Sequence, residues 1–298
     1  MISYLKSFWG TSKEDHTDEY KERPRFTYRS DFAAIPNTNI ISDIGWGCCY
    51  RCTQGIIAQY LKIIDEINHS LILTRFSNIK NDDIISLFED TLEAPFSIQN
   101  LVSETSKLGV APGEWAKPSQ IAIAFSNILD NFNLHNYTTL NCLIEPSKIQ
   151  DDSKYPMILM VSLMCGLQQL DELHFPFLKY VFSLPETIGI VSGYSGSAYY
   201  VVKIDDSENV FYFDPHVVQP AVATPDLYET FYNQKIMMMS LSQMNPSILL
   251  CFVCRDREST EKLVTNLSEF PGSPVSLSEC VSDEILEKVL DIDDLDLS

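Results

Sequence analysis

Two short segments, far apart along the chain, contain side chains that together could perform nucleophilic catalysis. Gly45-Trp46-Gly47-Cys48 brings a thiol to the start of a stretch with helical periodicity, and Asp214-Pro215-His216 places a carboxylate two residues before an imidazole. Backbone amides at the beginning of a helix favour a thiolate, which is the attacking form of cysteine. An imidazole beside the thiolate would act as the base, and the carboxylate would orient it. The sequence therefore predicts a cysteine hydrolase, provided that these side chains meet in the folded chain.

The thiol and the imidazole each have competitors of the same residue type. Cys49 and Cys52 fall on the apolar stripe of a helix predicted over 48–64, so burial is their expected state. The other histidines lack an equally placed acid and strand; they are His16, His69, His135 and His174. In extended chain, residues two apart face the same side, so Asp214 could hold the His216 ring. Asp-Pro-His also occurs in surface turns, so this segment alone does not establish catalysis.

Apolar periodicity outlines helices in the first part of the chain and strands in the second. Helices are predicted over 48–64, from Asp82 or Asp83 through Leu92, from Ser97 to near Gly109, and from Pro118 to about Leu129. Strands are predicted over Met157–Met164 and 248–254, and a hairpin is predicted from 198–204 and 210–213 around the turn at 205–209. Because helices precede strands instead of alternating with them, the pattern predicts an α+β fold.

Composition and charge exclude several classes of function. The chain has 298 residues and a formal net charge of −20, which disfavours nucleic-acid binding because an acidic protein repels phosphate. No apolar run approaches the roughly 20 residues that a membrane-spanning helix needs, and the N-terminus lacks the apolar core of a secretory signal. We therefore expect a cytoplasmic protein with reduced thiols. Polar residues 1–23 predict a flexible arm, 24–257 the globular domain, and the acidic segment 258–298 a disordered tail.

Two Cys-x-x-Cys pairs leave a zinc site open as an alternative. Cys49 and Cys52 form one pair, and Cys251 and Cys254 form the other. The second pair lies in a strand-like run, where residues three apart point to opposite faces and cannot easily reach one metal ion. Buried free thiols are the expected state of these residues, and no metal or other cofactor is expected.

The motifs around the two segments resemble those of the autophagins, the autophagy cysteine proteases that process a ubiquitin-like modifier. The resemblance covers roughly residues 25–256. The matching blocks are Phe26-Thr-Tyr-Arg29, Ser42-Asp-Ile-Gly-Trp-Gly-Cys-Cys-Tyr-Arg-Cys52, Pro95-Phe-Ser-Ile98 leading to Gly113-Glu-Trp115, the stretch from Gly189 to Ala198, and Phe213-Asp-Pro-His-Val-Val-Gln-Pro220. Their order along the chain makes chance agreement remote.

The resemblance implies a role for each matched residue. Cys48 would be the nucleophile, His216 the general base and acid, and Asp214 the residue that orients the imidazole. Tyr28 would help to stabilise the oxyanion, since Ser42 stands where papain-like enzymes carry a glutamine for that purpose. Trp115 would cover the cleft, and a gating loop at 193–197 would bind substrate with it; the loop residues are Gly193, Tyr194, Ser195, Gly196 and Ser197.

The same resemblance implies the fold and the reaction. It implies a papain-like α+β fold with a small auxiliary helical subdomain inserted at about 66–110. A narrow slot under an indole and a loop would accept only glycine, so cleavage is expected after the C-terminal glycine of the modifier. The leaving group would be a peptide extension or phosphatidylethanolamine, and the protein, expected to be a monomer, would contact membranes only through its substrate. A papain-like hydrolase of another ubiquitin-like modifier and a non-enzymatic zinc or scaffold protein are the open alternatives.

Overall fold

A computed structural model describes residues 20, 22–76, 83–233 and 235–278. Within these ranges the α-helices are α1 (Cys48–Ile67), α2 (His69–Arg75), α3 (Ile98–Ser106), α4 (Pro118–Asn131), α5 (Phe175–Ser183) and α6 (Arg257–Glu269). The strands are β1 (Tyr28–Ser30), β2 (Asn136–Thr139), β3 (Leu143–Ile144), β4 (Met157–Met164), β5 (Thr187–Tyr194), β6 (Ser197–Ile204), β7 (Asn209–Phe213), β8 (Val218–Pro220), β9 (Met237–Ser240), β10 (Ser247–Cys254) and β11 (Ser276–Leu277). The predicted α+β class is confirmed.

The first lobe is built around α1, as its periodicity predicts. Apolar side chains recur along one stripe of the helix, and Ile56, Ile57 and Leu61 have no exposed surface. Helices α2, α3 and α4 pack around α1 and share its hydrophobic core. The described part of the expected insertion at 66–110 is helical, and it contributes to this same core instead of forming one of its own.

The second lobe is a seven-stranded sheet with the strand order β2-β4-β10-β5-β6-β7-β9. The predicted hairpin is present as β6 and β7, which pair antiparallel, and the predicted strands are present as β4 and β10. One face of the sheet packs on α1 and α4, and the other face packs on α5 and α6. Because both faces are covered, the central strands are buried on both sides.

A short parallel pair of strands joins the two ends of the domain. Strand β1 pairs with β8, and Tyr28 lies opposite Val218. The backbone N–H of Tyr28 also donates to the carbonyl of Pro215 at 2.8 Å. This pairing fixes the residue expected to stabilise an oxyanion beside the segment that carries the imidazole.

The structure corrects the expected boundaries at both ends of the domain. Tyr20 belongs to the core, although it was assigned to the flexible arm; residues 1–19 and 21 lie outside the described residues. The tail predicted as disordered from 258 begins instead with α6, capped by the Asp256 carboxylate, which accepts from the N–H of Ser259 at 2.8 Å. Helix α6 buries Leu263 against the sheet. The rest of that prediction, 279–298, lies outside the described residues.

Smaller differences concern the helix ends. The helix predicted from Asp82 or Asp83 through Leu92 is a single 3-10 segment, Ile84–Phe88, capped by the Asp83 side chain. Ser97 caps α3 as predicted, but the helix ends at Ser106, before Gly109. No helix among the described residues combines the length and the apolar character needed to cross a membrane.

Candidate active site

The thiol of Cys48 lies at the first position of α1, at the end of a tight turn. Gly45 adopts a φ of 86°, which side chains other than glycine resist, and Gly47 donates its N–H to the Asp43 carbonyl at 2.8 Å. A Cβ added at Gly47 would lie 2.5 Å from the Cβ and Oδ2 of Asp43. The turn therefore needs both glycines, one for conformation and one for space, and it delivers a Cys48 with no exposed surface.

The imidazole and its carboxylate lie together in the turn after β7. Nδ1 of His216 is 2.5 Å from Oδ1 of Asp214, and the same oxygen accepts from the backbone N–H of His216 at 3.0 Å. Burial raises the pKa of Asp214, but the hydrogen bonds and charge of His216 outweigh it, and the net pKa is lowered. The carboxylate is therefore ionised at neutral pH and fixes the orientation of the ring.

The structure brings the thiol, the imidazole and the tyrosine together. After burial and Asp214, Cys48 is the next cause that acts on the pKa of His216, and after burial it raises the pKa of Tyr28, so the sulfur lies near both side chains. The rings of Tyr28 and His216 meet edge to face, with centroids 5.2 Å apart at an angle of 89°. Residues from α1, β1 and the turn before β8 thus converge on one sulfur atom.

The charge states of these groups suit an attack by sulfur. Burial lowers the pKa of His216, but the hydrogen bonds and charges of Asp214 and Cys48 prevail and raise it to about 9. Burial, followed by the charge of Cys48, raises the pKa of Tyr28, so its hydroxyl remains a hydrogen-bond donor at neutral pH. With the sulfur as nucleophile, a protonated imidazole can protonate a leaving amine, and a hydroxyl donor nearby can stabilise the oxyanion.

Tyr199 is a site residue that sequence reasoning missed. Its ring contacts the His216 ring with centroids 5.5 Å apart. Tyr199 lies on β6 next to the buried Tyr200, and the alternation of a strand places the two on opposite faces. Alternation alone does not identify Tyr199, because its contact with His216 depends on how the first residues of β6 meet the turn after β7.

A cavity of about 270 Å³ lies next to Cys49, the residue after the candidate nucleophile. It is lined by Cys49, Trp115, Ala116, Lys117, Pro118, Met164, Ser192, Gly193, Ser197, Ala198, Asn245 and Ser247. Trp115 is about half exposed, with a relative exposure of 49%, so the indole forms the solvent-facing part of the wall. Three of the residues expected to bind substrate therefore share one apolar cavity: Trp115, Gly193 and Ser197.

The segment 193–197 is a hairpin tip and not a longer loop. Gly193 and Tyr194 end β5, and Ser197 begins β6. Only Ser195 and Gly196 form the turn, both with positive φ, at 48° and 83°, as two-residue hairpins require. Tyr194 is exposed and does not line the cavity.

The competing cysteines are buried thiols. Burial, together with the charge of Cys48, raises the pKa of Cys49 and of Cys52, which keeps both protonated at neutral pH. Cys251 and Cys254 belong to the hydrophobic cores on opposite faces of the sheet, as their spacing on a strand predicts. No group of three or more His, Cys, Asp or Glu side chains that could hold a metal ion is found in the described ranges.

The sequence is similar to those of known cysteine proteases. The sequence model of the Peptidase C54 catalytic domain matches residues 13–266. The chain is 26% identical to the probable cysteine protease ATG4 of Coccidioides immitis, over 90% of this chain and 69% of that protein. It is 25% identical to the cysteine protease atg4 of Emericella nidulans, over 94% of this chain and 81% of that protein. A crystal structure of UfSP from C. elegans aligns with a TM-score of 0.37 and 12% identity, over 82% of this chain and 37% of that chain, which is too little to support an argument.

The family match includes the Cys48 turn, the Asp-Pro-His segment and nearly all of the sheet. It confirms the autophagin resemblance and the papain-like fold that the motifs imply. The chain belongs to the Peptidase C54 family and is a cysteine protease.

Proposed function

We propose that this protease cleaves the bond after the C-terminal glycine of a ubiquitin-like autophagy modifier. The single observation that carries the proposal is the convergence of Cys48, His216 and Tyr28 at the start of α1, with Asp214 holding the imidazole. Each of these groups matches a step of acyl transfer to a thiol, and the family match supports the reaction class. Relatives of this chain carry the name cysteine protease ATG4.

The reaction proceeds through a thioester. The Cys48 thiolate adds to the carbonyl carbon of the glycine, and the Tyr28 hydroxyl with the Cys48 N–H stabilises the oxyanion. His216 gives its proton to the leaving amine as the carbon–nitrogen bond breaks. The neutral imidazole then takes a proton from water, the hydroxide adds to the thioester, and the thiolate leaves with the glycine carboxylate released. Asp214 stabilises the imidazolium in both halves.

The enclosure of the sulfur supports a preference for glycine. Cys48 has no exposed surface, and the cavity walled by Trp115 and the hairpin tip reaches Cys49, the next residue. A residue without a side chain can reach the sulfur with the least displacement of these walls. A bulkier residue at the cleaved bond would have to move the indole or the hairpin. The free energy needed for that displacement would weaken binding of the substrate.

The leaving amine can belong to either of two groups. An amide to a peptide extension and an amide to phosphatidylethanolamine present the same carbonyl to Cys48, so one site serves both maturation of the modifier and its release from lipid. We propose that the protein acts in the cytoplasm as a monomer and contacts membrane through the lipid-bound substrate. No nucleic acid and no cofactor takes part in the steps above.

The direct test is a cleavage assay on a glycine-ended autophagy modifier with a C-terminal extension. Mass spectrometry of the products should give a new carboxylate at the glycine. Cys48→Ala should abolish cleavage, whereas Cys49→Ala, a change of the same size at the neighbouring buried thiol, should retain it. Replacing the substrate glycine by valine should slow cleavage by at least about 100-fold, since the enclosed site excludes a side chain. Equal cleavage of the two substrates would refute the glycine preference.

The same assay decides between the remaining alternatives. A panel of extended modifiers should show faster cleavage of the autophagy modifiers than of ubiquitin and other ubiquitin-like proteins. The reverse order would favour a hydrolase of another modifier. Stoichiometric zinc in the purified protein, combined with the absence of labelling at Cys48 by iodoacetamide, would favour the scaffold alternative. Release of the modifier from phosphatidylethanolamine vesicles tests the second leaving group separately.

A further inference from the structure

Three charged side chains form a cluster buried behind the candidate active site. The cluster consists of Asp43, Arg51 and Asp90, whose relative exposures are 0%, 0% and 2%. Nε of Arg51 is 2.6 Å from Oδ2 of Asp43, and its Nη1 is 2.8 Å from Oδ1 of Asp90. Desolvating three charges is costly, and buried ion pairs are weak evidence for stability, so the cluster calls for another explanation. Burial lowers the pKa of Arg51, but the charges of both carboxylates prevail and raise it, so the guanidinium stays charged.

Asp43 connects the tyrosine strand to the start of the nucleophile helix. Its Oδ1 accepts from the backbone N–H of Arg29 at 2.6 Å, immediately after Tyr28. Its carbonyl accepts from the N–H of Gly47 at 2.8 Å, immediately before Cys48. One residue thus contacts the chain next to the hydroxyl donor and the chain next to the sulfur.

The far end of the cluster reaches the segment that follows the imidazole. Oδ2 of Asp90 accepts from the N–H of Val222 at 2.9 Å, and the Asp90 N–H donates to the Val222 carbonyl at 2.6 Å. Val222 lies two residues after β8, which pairs with β1. Through Arg51, the cluster therefore links α1 to the strand pair from a second direction.

Strand β1 is consequently held on both sides. On one side, the Tyr28 N–H donates to the Pro215 carbonyl, between the candidate acid and base. On the other side, Asp43 accepts from the Arg29 N–H and donates its own N–H to the Arg29 carbonyl at 3.3 Å. These two attachments fix the backbone of β1 on either side of the Tyr28 side chain.

We propose that Asp43, supported by Arg51 and Asp90, is a positioning residue for the oxyanion step of the reaction. Asp43 holds the Tyr28 hydroxyl at the distance from Cys48 at which it stabilises the oxyanion. It does not create the thiolate, because its contacts are to β1 and to the turn and not to His216. The proposal rests on the proposed function only for the roles of Cys48 and Tyr28, and not for the identity of the substrate.

Two small reagents separate the oxyanion step from the reactivity of the thiol. With p-nitrophenyl acetate, the Cys48 thiolate adds to the ester carbonyl, an oxyanion forms, and p-nitrophenolate leaves. With iodoacetamide, the thiolate displaces iodide from carbon without any oxyanion. The two rates at Cys48, located by peptide mass spectrometry, share the same thiolate and the same access to the buried sulfur. The ratio of the acylation rate to the alkylation rate therefore reports oxyanion stabilisation alone. It can be measured without knowing the natural substrate.

The variants are Asp43→Asn, Tyr28→Phe and the two combined. Loss of one oxyanion donor costs about 100-fold or more in rate, so Tyr28→Phe should lower the ratio of acylation to alkylation by that order. Asp43→Asn should lower the ratio by about tenfold while the alkylation rate changes by less than about twofold. In the Tyr28→Phe background, Asp43→Asn should have no further effect, because the hydroxyl that it positions is gone.

Two further variants control for folding. Tyr50→Phe removes a buried hydrogen bond of α1 to Thr105, at 2.7 Å and outside the cluster, and should leave the ratio unchanged. Asp90→Asn, at the far end of the cluster, should lower the ratio less than Asp43→Asn does, and it replaces that variant if Asp43→Asn does not fold. Thermal unfolding of every variant identifies those that fold.

Each outcome decides a different point. An unchanged ratio in folded Asp43→Asn or Asp90→Asn overturns the proposal, as does an additive loss in the double variant. A change in the pH dependence of alkylation in Asp43→Asn also overturns it, because the cluster would then act on the thiolate. If Cys48 of the unsubstituted protein reacts with neither reagent, the proposed function fails instead.

Discussion

Replacing Asp214 with asparagine tests the electrostatic interaction that sets the charge of the candidate base. The substitution keeps the shape of the side chain but removes a negative charge 2.5 Å from Nδ1 of His216. Burial lowers the pKa of His216, and the hydrogen bond with Asp214 is the largest of the effects that raise it to about 9, followed by the effect of Cys48 and by the charge of Asp214. Without that charge, burial is opposed by Cys48 alone, so we expect the pKa of His216 to fall towards its ordinary value of 6.5.

The difference between a pKa of 6.5 and one of about 9 corresponds to about 3 kcal/mol of preference for the imidazolium. At pH 8, the protonated fraction would fall from about nine-tenths to a few per cent, or by about 30-fold. Turnover should fall by more than that, up to about 10⁴-fold, because the neutral ring also loses its orientation when the carboxylate is replaced by an amide.

The direct measurement is an NMR titration of the His216 ring in the unsubstituted and Asp214→Asn proteins. A parallel measurement is the pH dependence of cleavage, which should decline above about pH 9 in the unsubstituted protein and already above about pH 7 in the variant. Asp205→Asn is the matched control, since its carboxylate accepts from the Asn209 N–H at 2.8 Å in a neighbouring hairpin. It should leave both profiles unchanged.

The pH dependence of the free energy of unfolding is a second, independent test of the interaction between His216 and Asp214. Because the pKa of His216 is raised on folding, its contribution is complete below about pH 6.5 and is lost as the pH rises through about 9. Because the pKa of Asp214 is lowered, its contribution is present above its ordinary value of 3.8 and is lost as the pH falls. The stability difference between the two proteins should therefore be largest between about pH 4 and 6.5. A His216 titration that Asp214→Asn leaves in place would refute this reasoning.

Other substitutions test the turn and the corrected boundary of the domain. Gly47→Ala should cost about 1–3 kcal/mol in the free energy of unfolding, because the new Cβ meets Asp43 at 2.5 Å, and it should slow alkylation of Cys48. Gly45→Ala should cost about 1–2 kcal/mol through its positive φ alone, since nothing lies within 4 Å of its Cβ position. Leu263→Ala should cost about 2–5 kcal/mol in urea unfolding, whereas the exposed Thr265→Ala should be near neutral; equal effects would mean that α6 does not pack as described.

Local patterns were sufficient for several elements. The stripe of α1, the cap at Ser97, the proline in the first turn of α4 and the hairpin around 205–209 were predicted because their signals lie within a few residues of one another. Strand β5 was missed because it is buried on both faces and interrupted by glycine, so it lacks the alternation of a half-buried strand. Helix α6 was missed because its few buried positions lie within a polar, acidic composition that predicts disorder.

The candidate site also has residues that the sequence predicts and residues that it does not. The nucleophile, acid and base could be proposed from the sequence because each lies in a short motif with its own chemistry. Tyr199 could not, since its contact with His216 depends on how the first residues of β6 meet the turn after β7. The cluster of Asp43, Arg51 and Asp90 could not either, because its members are unremarkable charges until folding removes them from water.

The placement of Tyr28 beside His216 depends on a contact that no local pattern contains. Strand β1 pairs in parallel with β8, and their residues come from opposite ends of the domain. The entropy lost on closing so long a loop is compensated by the other contacts of the domain, so no local signal near Tyr28 predicts the pairing. The candidate oxyanion donor is therefore positioned through the two attachments of β1. Substitutions at Asp43 or at the Pro215 turn can consequently alter the chemistry without touching sulfur, imidazole or hydroxyl.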